Sequence, residues 1–375
     1  MSAAEPPPGP NAAPLQQRSG GIGQMSRTHG DHATGGDHPG APVPSPLPWH
    51  AALAAELVSR RRRWPHAMLV TGPAGIGKRV LAEWLARTLV CETPRDDGSP
   101  CGACAGCRYA AAGQHPDWRI VEPIEIEDDE VKTVEWISVD RIRALTRWAA
   151  LTSHRGGAKV ALIVPAERMN PQAANALLKT LEEPPANTFF ILVSHQPGRL
   201  PATVRSRCQR IVAPRPTRAE GLAWMTAQGG SDPGRALAQA NGAPLAAMAL
   251  ADADYQAERS VWMKALAAPP RLAPGALGAR VEAGPREARR DRLAAAIDWL
   301  ASWCADLARV RAGGTPVQNP EFGAELGALA RSVAAVALFR YHRSLLHQRA
   351  LVAHPLQPRL VAEALLIDYQ ALFDS

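Results

Sequence analysis

The sequence predicts an α/β domain, built on a parallel sheet covered by helices, followed by regions that are helical throughout. Two observations support this fold class. Short apolar runs alternate with helical stretches as far as Pro214, which is the pattern of parallel strands joined by crossover helices. A glycine-rich loop also separates the first apolar run from a long helix, in the order strand, loop, helix.

The first 45 residues are predicted to be a disordered tail. They are rich in Gly, Pro, Ser and His and contain almost no large apolar side chains, so they cannot bury a core. The whole chain has a net charge of +7, which permits contact with nucleic acid or an acidic partner without requiring it. No apolar run has the length of a membrane span, and no secretory signal is visible. We therefore expect a cytoplasmic protein with no membrane partner.

Five apolar runs are predicted to be the strands of the sheet: Ala67–Thr71, Trp118–Val121, Lys159–Val164, Thr188–Val193 and Arg210–Ala213. A helix from Ala51 to about Arg61 precedes them, and others are predicted at Val139–Leu151 and Pro171–Glu183. The last of these has clear ends. Asn170 can cap it, Pro171 suits its first position, and the two prolines after Glu183 stop it.

After Pro214 the pattern is helical. Short helices are predicted from about Thr217 to Ala267, and the Pro-, Gly- and Ala-rich stretch 268–285 reads as a linker or long loop. Apolar residues then recur at helical spacing. Within this region, single helices are predicted at 321–350 and 358–373. The chain is thus predicted to comprise a tail (1–45), a nucleotide-type domain (46–214) and two helical regions (215–267 and 268–375).

The glycine-rich loop reads Gly72-Pro-Ala-Gly-Ile-Gly-Lys78-Arg79. Gly72, Gly75, Gly77 and Lys78 match a phosphate-binding P-loop, whose backbone amides cradle phosphates at a helix N-terminus. The next position is normally Ser or Thr, because that hydroxyl coordinates the magnesium of bound nucleotide. Here it is Arg79. The residues therefore leave two interpretations open: weak ATP binding, or a loop kept for the fold alone.

A second part of an ATP-hydrolysing site is missing. The strand Lys159–Val164 is where such an enzyme carries the acidic residues that hold magnesium and orient water. In this chain the strand ends in Val164-Pro165, and the next carboxylate, Glu167, is out of register. The loss of both parts favours a protein that does not hydrolyse ATP.

Four of the six cysteines, Cys91, Cys101, Cys104 and Cys107, lie in one short polar stretch. Thiolates separated by two residues can face one ion, and four of them match tetrahedral zinc. Unligated reduced cysteines and an iron–sulfur cluster are the alternatives. We expect structural zinc, because free cysteines prefer burial and four protein ligands leave no open position for catalysis.

Arg207 lies in the segment Ser206-Arg207-Cys208, after the fourth predicted strand. An arginine at a domain edge can reach the γ-phosphate of a neighbouring subunit. Other arginines, Arg205 and Arg210, lie close by in the sequence. From spacing alone, an internal salt bridge or a solvated arginine is the favoured interpretation.

Taken together, these motifs resemble the AAA+ clamp-loader subunits of bacterial DNA polymerase III, and in particular the delta-prime family. The resemblance rests on the P-loop, the cysteine stretch and Gly113-Gln-His-Pro-Asp117. It also rests on Ala173-Ala-Asn-Ala-Leu-Leu-Lys-Thr-Leu-Glu-Glu-Pro-Pro185 and Val204-Arg-Ser-Arg-Cys208. It covers roughly residues 47–375, with specific motifs through 214 and only pattern beyond.

The resemblance implies an AAA+ domain with an inserted zinc module at 91–107, a small helical lid at 215–267 and an all-α collar at 268–375. The collar would assemble a hetero-pentameric ring with the motor and delta subunits. The resemblance also implies that Arg207 is an arginine finger acting in trans on ATP bound by a motor subunit. In the lid, Leu245 stands where a motor subunit carries a nucleotide-sensing arginine.

The leading functional hypothesis is therefore a non-hydrolysing clamp-loader subunit that helps load the sliding clamp onto primed DNA. It would not be an enzyme on its own, and partner subunits would hydrolyse the ATP. One alternative is the motor-type ATPase subunit of the same assembly, which Arg79, Val164-Pro165 and Leu245 disfavour. Another is a basic zinc-containing DNA-binding protein, which would bind DNA tightly and in a salt-sensitive way.

Overall fold

A computed structural model describes residues 45–127, 130–230, 232–286, 288–352 and 357–374 of the chain. The predicted tail, residues 1–45, lies outside this part except for Ser45. Seven strands are present in the described residues: β1 (Ala67–Thr71), β2 (Trp118–Val121), β3 (Ile124–Glu127), β4 (Glu130–Thr133), β5 (Lys159–Ile163), β6 (Thr188–Ser194) and β7 (Gln209–Val212).

Five of these strands form one parallel sheet in the order β2-β5-β6-β1-β7. All five predicted strands are confirmed, with ends that shift by one residue at most. The short antiparallel hairpin β3–β4 was not predicted. Its signal was present in the sequence, because Ile124 and Ile126 alternate with glutamates in the period-two pattern of a strand.

The described residues contain these helices: α1 (Ala51–Ser59), α2 (Lys78–Val90), α3 (Ala105–Ala111), α4 (Val139–Ala150), α5 (Pro171–Glu182), α6 (Ala202–Arg205), α7 (Arg218–Ala227), α8 (Pro233–Gln239), α9 (Pro244–Leu250), α10 (Ala253–Leu266), α11 (Pro274–Glu282), α12 (Ala288–Arg311), α13 (Gly323–Ser332), α14 (Ala335–Leu351) and α15 (Pro358–Gln370). The start of α5 is as predicted. The side chain of Asn170 accepts a hydrogen bond from the Ala173 amide at 2.7 Å.

The two faces of the sheet bury separate sets of side chains, because successive residues of a strand point to opposite faces. On one face, Met68 and Val70 of β1 pack with Leu85 of α2. On the other face, Leu69 packs with residues of α4 and α5, such as Leu177. Every residue of β1 and β5 is buried, so helices cover the sheet on both sides.

Helices α10 to α15 share one apolar core around Trp262, Trp303 and Tyr369. Trp303 Nε1 donates a hydrogen bond to the Tyr369 hydroxyl at 2.8 Å, and that hydroxyl donates to the carbonyl of Leu266 at 2.8 Å. Tyr369 thereby connects α15 to both α12 and α10. Helix α10 contributes its buried side chains to this C-terminal core. The division of the chain at residues 214 and 267 stays a prediction.

Two helical predictions differ from the structure. The stretch 268–285 contains the helix α11, which begins at Pro274 and buries Leu277 and Val281 in the C-terminal core. The single helix predicted at 321–350 is instead two helices, bent by 117°, with Val333 extended and buried between them. No single helix among the described residues is long and apolar enough to cross a membrane, although the two helices of this bent pair together have the necessary length and composition.

A buried carboxylate organises the turn between α12 and α13. Asp306 is fully buried, and its oxygens accept hydrogen bonds from the amides of Val317, Gln318 and Asn319 at 2.7–2.9 Å. The Asn319 side chain adds a bond of 3.0 Å to Asp306, and it also accepts a hydrogen bond from Arg259 of α10. One acidic side chain therefore fixes the loop between α12 and α13. Through Asn319 this loop is also bonded to Arg259 of α10.

We predict that Asp306→Asn will lower the free energy of unfolding by roughly 1–3 kcal/mol or more, because it leaves buried amide donors without a charged acceptor. Denaturant unfolding monitored by circular dichroism measures this change. Asp298→Asn is the matched control on the same helix, since Asp298 is exposed and its ion pair, with Arg349 at 2.8 Å, lies at the surface. An exposed pair is worth about 0–1 kcal/mol, so equal effects of the two substitutions would contradict the prediction.

Candidate functional site

The phosphate loop has the backbone of a P-loop. It follows β1 directly, and Lys78 is the first residue of α2. Gly75 and Gly77 have φ values of 76° and 86°, which L-residues with a side chain rarely adopt. The sequence prediction that strand, glycine loop and helix follow one another here is confirmed.

The chain itself covers this loop. The amide of Leu245, at the start of α9, donates a hydrogen bond to the Gly75 carbonyl at 3.0 Å. A Cβ atom placed on Gly75 would lie 2.6 Å from the Cβ of Ala246, and one on Gly77 would lie 2.1 Å from Cδ1 of Leu47. Both glycines are thus required by the close approach of the chain's own apolar side chains.

Residues 47–50, called here the N-terminal strap, add to this cover. Trp49 is buried, and its Nε1 donates a hydrogen bond to the Ile76 carbonyl of the loop at 2.9 Å. The Trp49 ring packs edge-on against Trp224 of α7, with ring centroids 5.8 Å apart. The strap therefore connects the loop to the helices that follow the sheet.

Lys78 is turned inward and only 2% exposed. Its ammonium group donates a hydrogen bond to the Pro73 carbonyl of its own loop. Burial lowers the pKa of Lys78 to about 8, and the nearby Glu167 carboxylate partly opposes this decrease. An Oε1 atom of Glu167 accepts hydrogen bonds from the amides of His195 and Gln196 at 2.9 and 3.1 Å. One oxygen of this carboxylate is thus engaged by backbone amides, whereas Oε2 is buried and has no hydrogen-bond partner among the described residues.

Arg79 stands where a hydroxyl would reach magnesium, and it is held by two carboxylates. Its Nε donates to Glu83 at 2.8 Å, and its Nη2 donates to Glu122 at 3.0 Å. Glu122 follows β2, at the carboxyl end of the sheet. The guanidinium therefore connects the start of α2 to the end of β2, the edge strand of the sheet. It offers no oxygen to a metal.

The four cysteines predicted as metal ligands come together. The sulfur atoms of Cys91, Cys101, Cys104 and Cys107 all lie within 4.8 Å of one another. Two of the separations are 4.0 Å (Cys91 to Cys104) and 3.9 Å (Cys101 to Cys107). Four thiolates about 2.3 Å from a zinc ion would lie ~3.8 Å apart, so the cluster fits a tetrahedral ion.

Local hydrogen bonds favour the thiolate form of Cys101 and Cys104, whereas burial raises the pKa of Cys91 and Cys107. The amides of Cys101, Cys104 and Cys107 each donate a hydrogen bond of 3.3 Å to the sulfur of another cysteine in the cluster. Although burial opposes the effect, hydrogen bonds from Thr93 and from backbone amides lower the pKa of Cys101 to about 6. Thiolates are the form that binds metal.

The cysteine module is fastened to the edge of the sheet. Arg155 Nε donates to Glu92 at 2.5 Å, and its guanidinium lies 5.3 Å from the centre of the Tyr109 ring on α3. Asp117 in turn accepts hydrogen bonds from the amides of His154 and Arg155 at 2.9 and 3.0 Å. This buried aspartate, the last residue of the Gly113–Asp117 motif, therefore supports the loop that holds the module.

Arg207 forms an intramolecular ion pair. Its Nε donates to the Glu182 carboxylate at 2.7 Å, and Nη1 donates to the Thr203 carbonyl at 2.9 Å. Glu182 is the last residue of α5 and belongs to the Ala173–Pro185 motif. The side chains of Arg207 and Glu182 are 32% and 48% exposed. The internal salt bridge favoured from spacing is thus present in the isolated chain.

Comparison with known proteins finds relatives for the part of the chain that contains these sites. Residues 52–216 match the family model described as DNA polymerase III, delta subunit. The chain is 44% identical over 207 residues to the DNA polymerase III subunit delta' of Pseudomonas aeruginosa, which covers 54% of this chain and 60% of that one. This chain is related to the delta-prime subunits. The subunit delta' of Escherichia coli K12 is 36% identical over 225 residues, 59% of this chain and 65% of its own length.

The chain thus spans less than two thirds of the length of these delta-prime relatives. It is also 39% identical over 143 residues to the DNA polymerase III subunit tau of Salmonella typhimurium, covering 38% of this chain and 21% of that one. Among solved structures, a gamma subunit-related protein from Thermotoga maritima matches with 17% identity and a TM-score of 0.40, over 85% of this chain and 99% of that one. The fold is established by the strand order of the parallel sheet.

Three residues at the loop were not singled out from the sequence. Leu47 and Trp49 belong to no motif recognised in the sequence. Glu122, in contrast, has a signal that was available. It directly follows the second strand, and the carboxyl ends of parallel strands meet at one edge of the sheet, where Arg79 also lies.

His50, at the end of the strap, is expected to make the stability of the fold depend on pH. It is fully buried, and burial lowers its pKa to about 4. In the unfolded chain the ring would have its ordinary pKa of about 6.5, so the unfolded state binds more protons between these values. We predict that stability falls as the pH falls from about 6.5 to 4, with His50 contributing about 3 kcal/mol.

Denaturant unfolding at a series of pH values measures this contribution. His50→Gln should flatten part of the slope between pH 6.5 and 4, while other buried histidines keep the remainder. His347→Gln, at an exposed histidine on α14, is the control. If His50→Gln left the pH slope equal to that of the unchanged chain, the predicted role of His50 would be wrong.

Proposed function

We propose that this chain is a non-hydrolysing subunit of the DNA polymerase III clamp loader, an AAA+ subunit that helps load the sliding clamp onto primed DNA. Its relation to the delta-prime subunits supports the assembly. The observation that carries the non-hydrolysing role is the covered phosphate loop. Leu47, Leu245 and Ala246 occupy the space over its glycines, and Arg79 replaces the hydroxyl that would hold magnesium.

The motor-type ATPase alternative is disfavoured by the same contacts. A nucleotide would have to displace both the strap and the start of α9, and Lys78 would have to leave the Pro73 carbonyl. Even then Arg79 would stand where a hydroxyl normally holds magnesium. The alternative of an independent zinc-containing DNA-binding protein has only the net positive charge in its favour. ATP hydrolysis in the assembly is therefore assigned to the partner subunits.

The cysteine cluster is proposed to hold one structural zinc ion. Cys91, Cys101, Cys104 and Cys107 would be its ligands, and all four coordination positions would be filled by protein. Such an ion stabilises a short segment that has too few apolar residues to fold alone. Its role is to shape the surface beside β2, which Arg155 and Asp117 fasten to the sheet.

Arg207 is proposed to act in trans on ATP that a neighbouring motor subunit binds. A guanidinium at the γ-phosphate stabilises charge that develops in the transition state. In the isolated chain Glu182 neutralises this guanidinium, and an exposed pair of this kind is worth only about 0–1 kcal/mol. A phosphate group can therefore replace Glu182 at little cost when the neighbour docks.

The remaining regions are proposed to act in assembly. Residues 215–267 would form the lid and residues 268–375 the collar of a five-subunit ring with the motor and delta subunits. The strap and the Leu245 amide hold the start of the lid on the phosphate loop without nucleotide. We therefore expect this subunit to keep one arrangement of sheet and lid while its partners respond to ATP.

We predict one tightly bound zinc ion per chain. Metal analysis of protein purified without chelator should find about one equivalent, and Cys104→Ser should lower it because three thiolates remain. Cys208→Ser, outside the cluster, is the matched control and should keep the full metal content. Purified chain without any metal would show that the cluster is four reduced, unligated thiols. Iron in place of zinc would support the iron–sulfur alternative.

We predict that Arg207→Ala will lower DNA-stimulated ATP hydrolysis and clamp loading by the reconstituted assembly, with the fold and zinc content unchanged. An arginine finger is worth roughly 10³–10⁵ in rate at its own site. The measured loss will be smaller, because other interfaces keep their own arginines. Steady-state ATPase and clamp-loading assays measure the effect, and the chain alone should show no hydrolysis.

Two further variants test this assignment. Arg205→Ala, on the same segment, should have much less effect than Arg207→Ala. Glu182→Gln removes the ion pair but leaves the guanidinium, so the assembly should keep its ATP hydrolysis. If Arg205→Ala and Arg207→Ala had equal small effects in an intact assembly, Arg207 would be a surface arginine. If clamp loading did not require the chain at all, the proposed function would be wrong.

A further inference from the structure

Helix α14 has an exposed apolar face. Val336, Phe339 and Leu346 are 71%, 62% and 54% exposed, which is unusual for side chains of this size. The opposite face of the same helix is buried in the C-terminal core through Leu338 and Leu345. A helix on the surface of a globular protein normally has one apolar face, and α14 has two.

The exposed residues are spaced as in a helix-helix seam. Val336, Phe339, Arg343, Leu346 and Ala350 are all exposed, and they succeed one another at intervals of three, four, three and four. This is the a/d pattern by which one helix packs along another. We call these five residues the α14 seam. It has apolar side chains at both ends and one arginine in the middle.

The seam is also basic. Arg340 and Arg343 are exposed, and neither forms an ion pair with another described residue. Arg349 pairs with Asp298, and α14 contains no Asp or Glu from Ala335 to Leu351. A single charged residue at an a position fixes which partner helix can pack and in which register. The seam therefore selects a partner that places a carboxylate opposite Arg343.

A second copy of this chain does not meet that requirement. Parallel pairing in register would place the two Arg343 side chains opposite each other, because a residues face a residues, and two desolvated guanidinium groups repel. Antiparallel pairing would place Arg343 opposite an apolar d residue of the other copy, which leaves its charge without a carboxylate. Both arrangements disfavour self-association through this face.

We propose that the α14 seam packs against a helix of a partner clamp-loader subunit that presents apolar residues at the same spacing and an Asp or Glu opposite Arg343. This inference rests on the proposed function, in which residues 268–375 assemble the ring. It assigns that role to one face of one helix. It also states the chemistry of the partner surface, which is an acidic, apolar helical seam.

The test is co-purification of the full-length chain with the tau-type and delta subunits of the same organism, monitored by size-exclusion chromatography. Phe339→Glu and Leu346→Glu should each reduce the retained partner subunits at least tenfold. Arg343→Glu should reduce them, while Arg343→Lys keeps the charge and should retain them. Leu151→Glu is the matched control, since Leu151 is 62% exposed like Phe339 but follows α4 beside the sheet. Circular dichroism and zinc content check the fold of every variant.

The outcomes separate this inference from the proposed function. If the unchanged chain did not co-purify with the partner subunits, both would be wrong. If the unchanged chain co-purified and Phe339→Glu, Leu346→Glu and Arg343→Glu did so equally well, only the seam assignment would be overturned. If the isolated chain were a dimer that Phe339→Glu converted to a monomer, the seam would bind a second copy and the partner proposed here would be wrong.

Discussion

The structure depends above all on the contact between the phosphate loop and the chain that covers it. The Leu245 amide bonds to the Gly75 carbonyl, Leu47 fills the space over Gly77, and Trp49 bonds to Ile76. In a nucleotide-binding protein the phosphates would connect the sheet to the helices that follow it. Here side chains and backbone amides make a connection between the loop and those helices. The close approach of apolar groups leaves no room for a side chain at Gly75 or Gly77.

Each charged group of the degenerate site has an internal partner. Arg79 pairs with Glu83 and Glu122, and Lys78 bonds to its own loop. Internal hydrogen bonds and ion pairs therefore compensate both cations within the chain. Arg207 is also paired, and its side chain is 32% exposed compared with 43% for Arg79. Pairs at such exposure contribute little stability, so the two arginines differ in their partners and not in their exposure.

Much of the fold was predictable from the sequence because the signals are local. Buried parallel strands give continuous apolar runs, Asn170 and Pro171 start α5, and four closely spaced cysteines can only be near one another. The missed features depend on tertiary contacts. The stretch 268–285 looks like a linker, yet α11 forms because Leu277 and Val281 find a core built from distant helices. The break at Val333 has no Gly or Pro, and the cover over the phosphate loop joins residues that lie far apart in the sequence.

The position of Tyr369 has a consequence for the order of events during synthesis. The sheet is complete once β7 has been made, and its own helices precede it, so that region can fold while the rest of the chain is still being translated. The C-terminal core cannot close until Tyr369 reaches Trp303 and Leu266, which at roughly 5–20 residues per second is about 8–30 s later. Helix α14 takes its packed position only with that core. The α14 seam therefore takes its final position only after α15 has been translated.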